Sequence, residues 1–89
     1  MNPPLVSIII PTYQRIHQMT QLLIDLNRQT IPLDRLQVLV VDDGSPTDPL
    51  PALRKMSVDY DLELLRLAPG GPARARNKAL ERATGEYVL

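Results

Sequence analysis

The chain has no cysteine and one histidine, His17, and these shortages exclude a good deal of chemistry. Without thiols there is neither a disulfide framework nor a thiolate metal site, and one imidazole cannot build a histidine-cluster metal site. Net charge is missing as well. Ten Lys and Arg cancel ten Asp and Glu, so no basic field marks a nucleic-acid or membrane-surface partner. No apolar run approaches the roughly 20 residues of a transmembrane helix, and Met1-Asn2-Pro3-Pro4 lacks the basic region and long apolar stretch of a secretory leader. The chain therefore reads as soluble and cytoplasmic, with membrane association of a complete protein left open. Its 89 residues suffice for one small domain but not two. Domains of that size bury only about two thirds of the surface their unfolded chains expose, which disfavours a large enclosed cavity.

What the chain does have is a recurring pattern of short apolar strands alternating with helical periodicity. The run from Leu5 to Ile10, broken only by Ser7, is too short for a helix and rich in isoleucine, and it predicts a buried strand ended by Pro11. From Arg15 the period changes: Ile16, Met19, Leu22, Leu23 and Leu26 recur on one helical face while Gln18, Gln21, Asp25 and Arg28 face away. Pro32 ends this helix near Thr30. Residues 36–41 form a second buried strand, and 42–51 a turn-rich loop. Asp48 is the expected N-cap, with Pro49 as the first residue of a short helix through Met56. Residues 62–67 give a third strand whose charges mark it as an edge.

Pro69-Gly70-Gly71-Pro72 leads into a third helix over 73–84, with Ala75, Ala79, Leu80 and Ala83 on its buried stripe and Gly85 at the C′ position. Gly85-Glu86-Tyr87-Val88-Leu89 opens a fourth strand. The alternation is βαβαβαβ with right-handed crossovers: an α/β, Rossmann-like parallel sheet with flanking helices, in the order 3-2-1-4. Such sheets bind ligands beyond the strand ends where the chain reverses direction. Pro11, Thr12 and Tyr13, Asp42 to Gly44, and the start of the third helix would converge there.

The chemistry-bearing residues sit at those strand ends. Two adjacent carboxylates, Asp42 and Asp43, close a buried strand, where each needs a donor. One reading has Asp42 capping the turn and Asp43 forming it with Gly44. The other uses the fact that uracil presents an N3–H donor where cytosine presents an acceptor, so a fixed carboxylate selects uracil by a charged hydrogen bond of about 1.5–3 kcal/mol. Successive side chains alternate, so only one of the pair can reach the base, and Asp43, nearer the loop, is the choice. Tyr13 either packs over the first helix or stacks on a base, which contributes about 1–3 kcal/mol. Thr12 bonds a ribose or helps cap the helix. Arg74, Arg76, Asn77 and Lys78 open the third helix, whose N-terminus attracts phosphate. Arg76 or Arg74 is the candidate for a charge-assisted bond to a diphosphate or base, and Lys78 and Arg82 read as a solvated face more readily than Arg76 does. His17 is assigned no function.

Taken together, Val6-Ser7-Ile8-Ile9-Ile10-Pro11-Thr12-Tyr13-Gln14-Arg15, Val40-Val41-Asp42-Asp43-Gly44-Ser45, Ala75-Arg76-Asn77 and Ala83-Thr84-Gly85-Glu86-Tyr87-Val88 resemble the family 2 glycosyltransferases of GT-A fold. The resemblance covers nearly the whole chain. Gln14 stands where asparagine is frequent, and Pro46-Thr47-Asp48-Pro49 departs from the usual continuation. The resemblance implies the N-terminal nucleotide-sugar-binding part of an inverting enzyme, with a UDP-sugar as donor and an acceptor that is a saccharide, lipid or protein. Pro11, Thr12, Tyr13, Arg15, Asp42, Asp43 and Arg76 would make up the nucleotide site. A divalent cation, Mg²⁺ or Mn²⁺, is implied for the complete enzyme, and both its ligands and the catalytic base are expected beyond Leu89.

On this reading residues 1–89 are a single partial domain, and the isolated segment is expected to be inactive and to self-associate. Two other classes compete. One is a receiver-like phosphoacceptor domain in which Asp42 and Asp43 hold Mg²⁺, and the other a non-catalytic α/β interaction module.

Overall fold

The computed structural model describes residues 4–29, 32–85 and 87–88. Three long parallel strands carry the sheet in the order β3-β2-β1: β1 (Val6–Thr12), β2 (Leu36–Asp43) and β3 (Asp61–Leu67). On the far side of β1, β4 (Tyr87–Val88) pairs in parallel with Val6 and Ser7. Helices α1 (Ile16–Leu26), α2 (Leu50–Arg54) and α3 (Pro72–Arg82) make the connections, with a 3₁₀ turn at Leu33–Arg35 leading into β2.

β2 is central, and seven of its eight residues are buried. A parallel strand covered on both faces needs apolar side chains in both directions, which explains the unbroken Val38-Leu39-Val40-Val41 run. Its even positions, Val38 and Val40, pack with Ile10, Met19, Leu23, Leu53 and Tyr60 under α1 and α2. The odd ones, Leu39 and Val41, pack with Ile9, Ala75 and Ala79 under α3. Both alanines are fully buried, so α3 lies close on the sheet. The result is three layers, helices on both faces of one sheet.

Several boundaries differ from the sequence reading. Pro11 does not end β1 but pairs in register with Val41. Among the described residues β4 pairs with Val6 and Ser7, and Pro11 lies beyond those pairs. β2 runs on to Asp43. The first helix ends at Leu26, with Asn27, Arg28 and Gln29 bonded back to its last carbonyls, and Thr30 lies outside the described residues. α2 ends at Arg54, short of Met56, and Asp48 caps from one position further out by accepting the Leu50 amide at 3.0 Å. α3 ends at Arg82. Leu80, expected on its buried stripe, is 43% exposed.

Gly85 is also not a left-handed cap. An added Cβ there would lie 2.6 Å from the Ser7 amide nitrogen, so glycine is required by close approach to β1. The approach is held by polar groups buried at the start of the sheet. Ser7 Oγ accepts the Gly85 amide and donates to Gln37 Oε1, which also accepts the Thr84 amide, while Gln37 Nε2 donates to the Arg82 carbonyl. Ser7, the one polar break in the first apolar run, thus fastens the α3–β4 turn. Arg82 and Glu63 form an ion pair that ties the end of α3 to β3.

Tyr60 is buried and its hydroxyl donates to the Leu23 carbonyl at 2.7 Å, pinning the end of α1 to the segment before β3. Burial pushes its phenol up from 10.0 to about 12. The neutral form is favoured in the folded chain, so this stabilisation is complete below pH 10 and lost as pH rises toward 12. We expect the free energy of unfolding to fall across that window, and the decline to flatten in Tyr60→Phe, as read by denaturant titrations at a series of alkaline pH values. Because the Leu23 carbonyl also accepts the Asn27 amide, the same substitution should cost only about 1 kcal/mol at neutral pH. Gly85→Ala should destabilise by about 1–3 kcal/mol through overpacking against β1, and a variant as stable as its parent in urea would contradict the close approach.

Candidate nucleotide-binding site

The carboxyl ends of β1 and β2 and the amino ends of α1 and α3 surround an open cleft of about 680 Å³. This is where a parallel α/β sheet presents backbone and loops to a ligand. β1 contributes Ile10, Pro11 and Thr12, the following loop Tyr13 and Arg15, α1 Gln18, Met19 and Leu22, β2 Asp43, and the β3–α3 loop Pro69, Gly70 and Gly71. Tyr13 and Asp43, separated by a helix and a strand in sequence, line the same cleft. Tyr13 is 48% exposed, so its ring is available to a ligand and is not absorbed by the core. Arg15 is the cationic side chain among the lining residues and Asp43 the anionic one.

The two aspartates have separate surroundings because they alternate at the end of β2. Asp43 turns toward α3, where its two oxygens accept the Gly70 and Gly71 amides at 3.1 and 3.0 Å. A carboxylate offers about four lone-pair sites, so acceptor capacity remains for a ligand. Asp42 turns the other way and is 1% exposed. One oxygen accepts the Ser45 hydroxyl, and the other accepts the Ser45 amide at 3.1 Å and Arg66 Nε at 3.3 Å.

The loops are shaped by two glycines with positive φ. Gly44, at φ 82, lies so close to Pro69 that a Cβ would meet the proline ring at 2.5 Å. Gly71, at φ 91, turns the chain into α3. Gln14 also has a positive φ, 55, and its amide donates to Ser45 Oγ at 2.7 Å.

Of the residues picked from sequence, Pro11, Thr12, Tyr13, Arg15 and Asp43 are brought together at the cleft, and Asp42 and Arg76 are not among its lining. Arg76 is exposed on α3. Arg74, its neighbour, folds over Gly70 and donates to the Ala68 carbonyl at 2.8 Å. Sequence reasoning missed the contribution of α1. Leu22, assigned to the core, is 44% exposed and lines the cleft, as does Gln18, assigned to solvent. Their places three and seven residues after Arg15, on one helix stripe, were the available signal. Ser45 and Arg66 were missed as well. Among the described residues no cluster of three or more His, Asp or Glu could hold a metal ion. With its oxygens taken by Ser45 and Arg66, Asp42 does not share a cation with Asp43 in the way a receiver-like domain requires. No described helix is long and apolar enough to cross a membrane.

Comparison with known proteins finds likenesses in sequence and in fold. The chain is 39% identical over 85 residues to the poly(ribitol-phosphate) beta-N-acetylglucosaminyltransferase TarS of Staphylococcus aureus, an alignment that covers 93% of this chain and 15% of that protein. Among solved structures, a TarS complex with UDP-GlcNAc superposes with a TM-score of 0.82 at 38% identity, covering 96% of this chain and 25% of the other. The mannosyltransferase PcManGT from Pyrobaculum calidifontis, in complex with GDP-Man and Mn²⁺, gives a TM-score of 0.86 at 35% identity, covering 99% of this chain and 27% of that one. The chain thus spans about a quarter or less of the length of these relatives. The family model for glycosyl transferase family 2 matches residues 7–89, and the chain belongs to that family.

Proposed function

We propose that this chain is the donor-binding portion of an inverting, metal-dependent glycosyltransferase whose donor is a UDP-sugar. The observation that carries the reading is the shared cleft, which has Tyr13 and Asp43 in its lining at the carboxyl edge of the sheet. Tyr13 offers a face on which a base stacks, and Asp43, fixed by the Gly70 and Gly71 amides, accepts an N–H from the base edge. Thr12 lies beside the ribose, and Arg15 supplies positive charge toward the diphosphate. Asp42 and Arg76, named with these from sequence, take no part in this binding scheme.

A divalent cation, when bound in the complete enzyme, would stabilise the departing diphosphate. Among the described residues no three or more His, Asp or Glu are grouped to hold that ion, so its ligands are assigned to another part of the enzyme. The same holds for the base that activates the acceptor. This segment's own residues bind and orient the donor.

A GDP-sugar is the second reading, supported by the solved relative that holds GDP-Man. Its chemistry is related: guanine, like uracil, presents ring N–H donors to a carboxylate, whereas cytosine and adenine present acceptors at the corresponding positions. Calorimetric titration of the full chain with UDP, GDP, CDP and ADP separates these cases. We expect UDP to bind about tenfold or more tighter than CDP. Tyr13→Ala should weaken UDP by about tenfold or more through lost stacking, and Asp43→Asn should narrow the preference for UDP over CDP. Equal affinity for UDP and CDP, or unchanged UDP affinity in both variants, would overturn the site assignment, and a preference for GDP would select the second reading.

A further inference from the structure

Tyr13 is exposed, and the residue after it, Gln14, adopts a left-handed backbone that side chains other than glycine rarely take. Something must hold that conformation, and the structure supplies one bond that does. The Gln14 amide donates to Ser45 Oγ at 2.7 Å, joining the loop after β1 to the loop after β2.

Ser45 is itself fastened on three sides. Its hydroxyl proton is donated to Asp42, its amide donates to the other oxygen of the same carboxylate at 3.1 Å, and its carbonyl accepts Arg66 Nη2 at 2.6 Å. Arg66 Nε donates to Asp42 as well, and Arg66 Nη1 lies 3.9 Å from Asp48 at the start of α2. Because its proton is committed to a buried carboxylate, the hydroxyl has its lone pairs left to face Gln14. A surface arginine on the edge strand and a buried aspartate thereby set the direction of one acceptor, and that acceptor sets the turn that carries the aromatic ring.

We infer that Ser45, clamped by Asp42 and Arg66, is a positioning residue for Tyr13, so that base recognition in the cleft depends on a polar lock outside it. The inference rests on the nucleotide reading of the cleft and gives Asp42 a role that does not involve touching the ligand. It also explains why two acidic residues stand together at the end of β2: one meets the β3–α3 loop, and the other holds the residue that holds the β1 loop.

The test combines amide exchange by NMR with UDP titration of the full chain, using Ser45→Ala in the native and in the Tyr13→Ala background. In Ser45→Ala the Gln14 amide should exchange about tenfold faster while the amides of Val38 and Val40 keep their protection, which separates loosening of the loop from loss of fold. UDP affinity should fall about fivefold or more with Tyr13 present and less than about twofold in Tyr13→Ala, because a residue acting through Tyr13 has nothing to position once the ring is gone. Ser45→Thr, which keeps the hydroxyl, should restore both readouts. Unchanged Gln14 exchange, or equal loss of UDP affinity in the two backgrounds, overturns the inference. Absence of UDP binding by the native chain would instead refute the nucleotide reading, and Gln14 exchange would still decide whether Ser45 holds the loop.

Discussion

Two neighbouring carboxylates at the end of a buried strand must each find donors, and much of the molecule's polar architecture is arranged to meet that requirement. Removing a charge from water costs several kcal/mol unless it is compensated. Asp42 and Asp43 follow an unbroken apolar run, so both leave the core at the same edge of the sheet. The pleat sends them to opposite faces. Asp43 is compensated by two glycine amides and fixes the approach to α3, whereas Asp42 is compensated by Ser45 and Arg66 and fixes the loop after β2. The electrostatic requirement of the strand end thus becomes the scaffold of the cleft.

Close packing shapes one side of the cleft. Gly44 packs against the ring of Pro69, and the fully buried Ala75 lets the first turn of α3 come down on the sheet beside Ile9 and Val41. Opposite them α1 contributes Gln18, Met19 and Leu22, a partly apolar wall facing Asp43 and the glycines. A ligand with a flat apolar face, an N–H edge and an anionic tail matches that combination of aromatic ring, fixed acceptor and arginine. At the opposite end of the sheet, among the described residues, Leu5, Val6, Pro32 and Arg35 line a smaller recess of about 240 Å³. There Ser7 and Gln37 bury their polar atoms against the α3–β4 turn, so their hydrogen bonding is spent on holding the fold.

Much of this was legible in the sequence, and the parts that were not have definite reasons. The α/β class and the positions of α1 and α3 follow from periodicity, since strands buried on both faces and helices buried on one leave different patterns, and α2 follows from Asp48 and Pro49 as a helix-start signal. Tyr13 and Asp43 stood out because an aromatic ring and a carboxylate directly after apolar strands have little to gain from the core. Leu22 and Leu80 were misassigned because helical spacing identifies a stripe, not its width, and both lie at its margin, where exposure depends on what packs alongside. Gly85 looked like a helix cap, whereas the reason for glycine is contact with β1, a segment at the other end of the chain that no local pattern reveals. Ser45 was passed over because a serine in a Gly-Ser-Pro turn has an ordinary local explanation. Its partner Gln14 is distant in sequence, so the bond that gives it importance leaves no trace in spacing.

The central claim is that Tyr13 and Asp43 grip one base between them. An NMR study of the full chain with bound UDP addresses it most directly. The account predicts intermolecular contacts between the Tyr13 ring protons and the uracil ring, together with a uracil imino proton shifted by hydrogen bonding to the Asp43 carboxylate. Bound UDP whose base shows contacts elsewhere, with neither the Tyr13 ring nor Asp43 perturbed, would contradict it.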